Sequence, residues 1–153
     1  MQDLTREIRG IVDRLLAVPG TFTRAKVAES CSAQLIEIAS PDPNVHEFEA
    51  HIRRGPFSTL MFREHAAPTR SPGALVAMEV ASNTHLAIAD LSSCFELSLE
   101  FFDVNPHIPP EGALSFQESA GSRLVILEFG ALSGLLLSVA VHETHREHGQ
   151  HNP

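Results

Sequence analysis

The sequence predicts an α+β domain in which an N-terminal amphipathic helix, or two, packs on a mainly antiparallel sheet of about six strands, with a short helix near residues 90–97. Three observations carry that prediction. Apolar residues recur at helical spacing only near the N-terminus; the strand-like segments come in runs instead of alternating strictly with helices; and 153 residues, 43% of them hydrophobic and nine of them Phe, supply enough apolar material for one core.

Taken in order, Leu4, Ile8, Ile11, Val12, Leu15 and Leu16 fall on one side of a helix, and Arg6, Glu7, Arg9, Asp13 and Arg14 on the other. Pro19-Gly20 supplies the stop. From Thr23 to about Ser32, Val27, Cys31 and Leu35 suit a second helix, after which Gln34 to Ala39 alternates like a strand. Ser40 to Asn44 (SPDPN) is a turn by composition. Phe48, Ala50 and Ile52 then alternate with Glu47, Glu49, His51 and Arg53, and Arg54-Gly55-Pro56 turns this strand into Phe57 to His65, giving a β-hairpin.

After a Pro-rich loop at 66–73, Ala74 to Ala81 (ALVAMEVA) is nearly continuous in hydrophobicity, the mark of a strand central in a sheet. Asp90 is positioned to cap a short helix through Leu97, with Leu91, Cys94 and Phe95 facing inward. Asn105 to Gly112 (NPHIPPEG) holds three prolines and forbids a helix or central strand. The segments LSFQES, RLVILEFG and LLLSVAVHETH follow as three strands of an antiparallel meander. Residues 1–145 are expected to form a single domain, and 146–153 a polar, His-containing tail.

Nineteen acidic residues against eleven basic ones give a formal net charge of -8. That field repels nucleic acid and anionic lipid and attracts basic protein surfaces. Cys31 and Cys94 are too few for a disulfide framework, and charged residues interrupt the apolar positions of the N-terminus, unlike a secretory signal. A cytoplasmic protein with no membrane span is expected. No P-loop, GxGxxG, GxSxG, HExxH or EF-hand pattern occurs, so nothing calls for a cofactor.

Several residues remain candidates for chemistry. His142, His145, His148 and His151 recur every third position, and imidazole is a common ligand for Zn, Ni and Cu. A solvated tail is the plainer account of them. Glu64-His65 and His51 lie on the two strands of one hairpin and would share a site only if the register placed them together. Cys94 near a helix start would have a lowered thiol pKa, although Leu91 and Phe95 beside it favour burial. His107 sits in a loop that proline stiffens.

Three functions follow as expectations. The first is a non-enzymatic protein-binding module, immunity- or antitoxin-like, which engages a basic partner through Glu47, Glu49, Glu64, Glu79, Glu100 and Asp103. Asp42, Glu96, Glu111 and Glu118 are further acidic candidates for that surface. The second is a small-ligand binder or enzyme with a pocket between sheet and helices, lined by some of Phe48, Phe62, Phe101, Phe116 and Phe129 and served by His51, His65 and His107. The third is metal binding through the C-terminal histidines. A flat edge strand would also let two copies pair as a homodimer.

Overall fold

The computed structural model describes residues 2–65, 73–103 and 112–143, with the backbone alone at 2–3 and 98–103. The predicted first helix is α1 (Gln2–Leu16), and the second is α2 (Arg24–Cys31). In α1, Ile8, Val12 and Leu15 are fully buried, one helical turn apart along a single face. Thr23 caps α2 by accepting from the Lys26 N–H (3.2 Å). Ser32 closes it in the left-handed region at φ 51°, where its N–H satisfies the carbonyls of Ala28 and Glu29.

Eight strands form one antiparallel sheet: β1 (Ile36–Ile38), β2 (Val45–His51), β3 (Phe57–His65), β4 (Leu75–Val80), β5 (Ser98–Asp103), β6 (Ala113–Ala120), β7 (Arg123–Gly130) and β8 (Leu136–Glu143). Their spatial order is β1-β2-β3-β4-β8-β7-β6-β5, so two four-stranded meanders are joined by the pairing of β4 with β8. The nearly continuous apolar run at β4 does lie at the centre, as its composition predicts. Eight strands exceed the six or so expected, and the one that no predicted segment covers is β5, an edge strand of sequence SLEFFD that leads into the Pro-rich segment.

The short helix differs from its prediction. α3 spans only Ile88–Leu91, and Asp90 lies inside it, where its carboxylate reaches back to accept from the Ala87 N–H (2.9 Å). The helix ends early because the Ser92 and Ser93 hydroxyls bond back to the carbonyls of Ala89 and Asp90, an alternative to the helical ladder. Cys94 therefore follows the C-terminal end of this helix and does not lie near its start.

The helices and one face of the sheet share a single hydrophobic core. Registered rows such as Phe48–Phe62–Val76–Val141–Val125 and Ala50–Leu60–Met78–Val139–Leu127 cross five strands on the helix-facing side. Phe48 stacks on Phe62 with centroids 5.9 Å apart, and Phe116 meets Phe129 edge-on at 5.6 Å. Phe48, Phe62 and Phe129 thus fill the core, where sequence reasoning offered them as pocket lining.

Two ionic clusters tie α1 to the sheet. Arg9 bonds Asp13 (2.7 Å) and Glu118 (2.8 Å) and lies over the Phe95 ring, 4.5 Å from its centroid. Burial works against the Arg9 charge, but these two carboxylates more than offset it and hold the guanidinium above its ordinary pKa. The second cluster is Arg123 with Glu143, both buried.

Candidate functional site: the open face of the sheet

A strand that is apolar on both sides asks to be covered on both sides. β4 (LVAMEV), β7 (RLVILEFG) and β8 (LLSVAVHE) come close to that composition, yet α1 and α2 cover only one face. The opposite face carries the alternate residues of every strand. One registered row on it reads Ile36–Glu49–Met61–Ala77–Ala140–Ile126–Gln117. Its middle is an apolar trough: Ala77 and Ala140 pair at the β4–β8 seam, flanked by Met61 and Ile126, and all four side chains are half-buried.

On one side of the trough runs the row His51–Thr59–Glu79–Ser138–Glu128, and on the other Ile38–Glu47–Arg63–Leu75–His142–Leu124. Glu47 is neutralised by Arg63 (3.5 Å). Among the described residues, the Glu79 carboxylate accepts from the Thr59 hydroxyl (2.9 Å) and that of Glu128 from the Ser138 hydroxyl (3.2 Å). Glu49 lies 3.7 Å from Nε2 of the His51 ring. None of these last three carboxylates meets a Lys or Arg among the described residues. They converge on a shallow depression of about 350 Å³ whose apolar lining is Met61, Ala77 and Leu137. Three unneutralised carboxylates over an apolar floor accept a cation whose stem is hydrocarbon, which describes a lysine or arginine side chain.

The acidic positions singled out from sequence are thus divided. Glu47, Glu49 and Glu79 share the open face. Glu64 has the opposite parity, paired with His46 on the helix-facing side. Glu100 and Asp103 belong to β5, where only the backbone is described. Glu118 is engaged with Arg9, and its other oxygen accepts from the Glu96 N–H (2.8 Å). Glu128 was not singled out, although its place in the alternation of RLVILEFG marks it as an outward position.

The hairpin histidines His51 and His65 are not brought together. His51 pairs with Thr59 and His65 with Val45, so both lie on the open face but at opposite ends of the hairpin, six residues or about 20 Å apart. His107, His145, His148 and His151 lie outside the described residues. His142 pairs with Leu75 and Leu124 in mid-sheet. Among the described residues no group of three or more His, Cys, Asp and Glu is placed to hold a metal ion. No described helix is long and apolar enough to cross a membrane.

A second concavity, of about 400 Å³, opens where α1, the end of α2 and the β2–β3 turn meet. Glu7, Arg14, Cys31, His51, Arg53 and Arg54 line it above Ile11, Ile52, Phe57 and Met78. Of the three histidines expected to serve a pocket, this cleft holds His51, and His65 borders a smaller hollow with His142. Burial pushes the Cys31 thiol up to about 11, far from a nucleophile's range.

No protein-family model matches the chain, and no curated protein or solved structure matches it. Function has to be argued from the surfaces themselves.

Proposed function

We propose that this chain is a protein-binding module whose open sheet face receives a basic segment of a partner protein. One observation carries the reading: an apolar trough at the centre of the sheet, Met61–Ala77–Ala140–Ile126, lies beside three carboxylates that no Lys or Arg among the described residues neutralises. A lone apolar trough would fit many partners, and a lone acidic row is an ordinary solvated surface. Side by side they favour a segment with apolar residues flanked by Lys or Arg. The net charge of -8 adds long-range attraction for such a partner and speeds encounter at low salt.

The form of this reading that fits the charge best is immunity- or antitoxin-like: occupation of the surface of a basic enzyme. No catalytic role is needed from the chain itself. Self-association through the same face is opposed by the excess of carboxylates over Arg63 and His142.

The test is capture of partners from the lysate of the source cell by wild type, by Glu79→Gln/Glu128→Gln and by Ala140→Arg, at low and moderately high salt. The expected result is a stoichiometric basic protein held by wild type, weakened by salt and by the double variant, and lost with Ala140→Arg. Capture that neither variant diminishes would place the partner elsewhere on the chain. A wild-type dimer that Ala140→Arg dissociates would replace the basic partner with a second copy.

A further inference from the structure

We infer that the cleft between α1, α2 and the β2–β3 turn is a binding site for a small organic anion, an apolar body ending in a carboxylate or a phosphate. It stands apart from the open face and does not depend on that reading.

The argument begins with the arginines. Arg9, Arg63 and Arg123 each pair with a described carboxylate. Arg6, Arg14, Arg24, Arg53 and Arg54 pair with none, and three of these, Arg14, Arg53 and Arg54, line the one cleft. Arg14 donates through Nε to the Ser30 carbonyl (3.0 Å), which fixes the side chain while leaving its terminal nitrogens unclaimed by any described acceptor. Arg24, by contrast, is spent on the Leu35 carbonyl and on the Phe48 ring. In a chain with so large an excess of acid, a gathering of three guanidinium groups against a single carboxylate, that of Glu7, is a local inversion of the field.

The floor supplies the other half of the recognition. Phe57 and Met78 are 2% and 1% exposed, and Ile11 and Ile52 stand half-buried beside them, so the base of the cleft is hydrocarbon. Gly55 shapes the rim: at φ +92° the turn passes so close to Glu7 that a Cβ on Gly55 would lie 2.8 Å from the carboxylate. That approach sets Glu7 on the rim near the arginines, where it orients an anion by repulsion. A volume of about 400 Å³ falls in the range of small-molecule sites. Guanidinium forks match carboxylate and phosphate oxygens alike, so the shared chemistry is a terminal oxyanion on a short apolar body.

The experiment is a ¹H–¹⁵N NMR titration of the full chain with four probes: octanoate, octyl phosphate, octanol and inorganic phosphate. The expected result is saturable shifts of the Ile11, Cys31, Ala33 and Ile52 amides with at least one of the two amphiphilic anions. The better of the two reports whether the site is built for carboxylate or phosphate. Octanol and inorganic phosphate should each bind at least about ten-fold more weakly, the worth of one charge-assisted contact or of a few buried methylenes. Arg53→Ala/Arg54→Ala, whose side chains are exposed, should keep the wild-type spectrum and lose about ten-fold in affinity. No saturable shift below roughly 5 mM overturns the proposal. So does octanol binding as well as octanoate, or a shifted patch elsewhere on the chain.

Discussion

Arg123 and Glu143 face each other in the β7–β8 ladder, and together they close the end of α1 onto the sheet. Arg123 donates to the carbonyls of Leu15 (3.3 Å) and Leu16 (3.1 Å) at the end of α1, and to those of Val18 (2.8 Å) and Gly20 in the loop after it. Its guanidinium also lies 4.1 Å from the centroid of the Phe22 ring. Glu143 accepts from the N–H groups of Phe22 (2.8 Å) and Ala74 (3.0 Å). The pair acts as a clamp on the loop from Leu16 to Phe22. Replacing Arg123 by Ala leaves a buried carboxylate without its cation and takes a donor from four carbonyls, of which Leu15 keeps the Val18 N–H, and we expect a loss of about 3–5 kcal/mol in urea-induced unfolding. A loss under about 1 kcal/mol would mean that water replaces the guanidinium without penalty.

The same carboxylate makes Gly73 intolerant of a side chain. A Cβ at Gly73 would stand 2.5 Å from Glu143 Oε1 and 3.0 Å from its Cβ. Gly73→Ala should push Glu143 out of line with Ala74 and cost about 1–3 kcal/mol, the usual range for overpacking. Thermal unfolding of Gly73→Ala alone and together with Glu143→Ala measures it: the penalty of the alanine should fall in the second background, which removes the Oε1 contact and keeps the 3.0 Å contact with the Cβ.

Neighbouring residues on β7 should answer very differently to truncation. Leu127 is fully buried under the helices, so Leu127→Ala should cost about 2–5 kcal/mol. Ile126, next in sequence, is half-buried on the open face, and Ile126→Ala should cost about 1 kcal/mol or less. Equal losses at the two sites, in parallel denaturant titrations, would mean that the open face is covered within the isolated chain.

Alkaline pH should weaken the fold through Cys31. Its thiol is raised by burial from 9.0 to about 11, so the folded state holds the proton more tightly than the unfolded chain does. Stability from this group is complete below about pH 9 and is lost as pH climbs to 11, a change of about 2 kcal/mol. Cys31→Ala should flatten the stability profile over that interval. Alkylation at pH 8 should also be slow at Cys31 in the folded protein and fast after denaturation.

Much of the fold was legible in the sequence because local patterns and tertiary demands agree. The spacing of Ile8, Val12 and Leu15 announces the buried stripe of α1, and the alternation around Phe48 and Ala50 announces β2. The α3 boundary was misread because Asp90 resembles a cap, whereas its bond runs back to Ala87 and two serines end the helix behind it. β5 was missed because SLEFFD lacks clean alternation, and a bulge between Leu99 and Phe101 explains why. The candidate sites were less legible than the fold. Nothing in one dimension says that Glu79 and Glu128 will flank the same serine, since that depends on β8 entering between β4 and β7. Nor does the spacing of Arg14 and Arg53 reveal that α1 and a hairpin turn meet at one cleft.

The strand order also has a consequence for how the chain is made. β8 follows the other described strands in the chain, yet it takes the seat between β4 and β7. Until Leu136–Glu143 emerges, β4 and β7 are open edges, and the described strands form a four-stranded fragment, β1 to β4, and a separate three-stranded one, β7-β6-β5. The end of α1, synthesised well before Arg123 and Glu143, waits for them to be clamped. Ordering of the nascent chain should therefore come late and all at once, and a ribosome stalled before residue 136 would present a sheet edge for chaperones to guard.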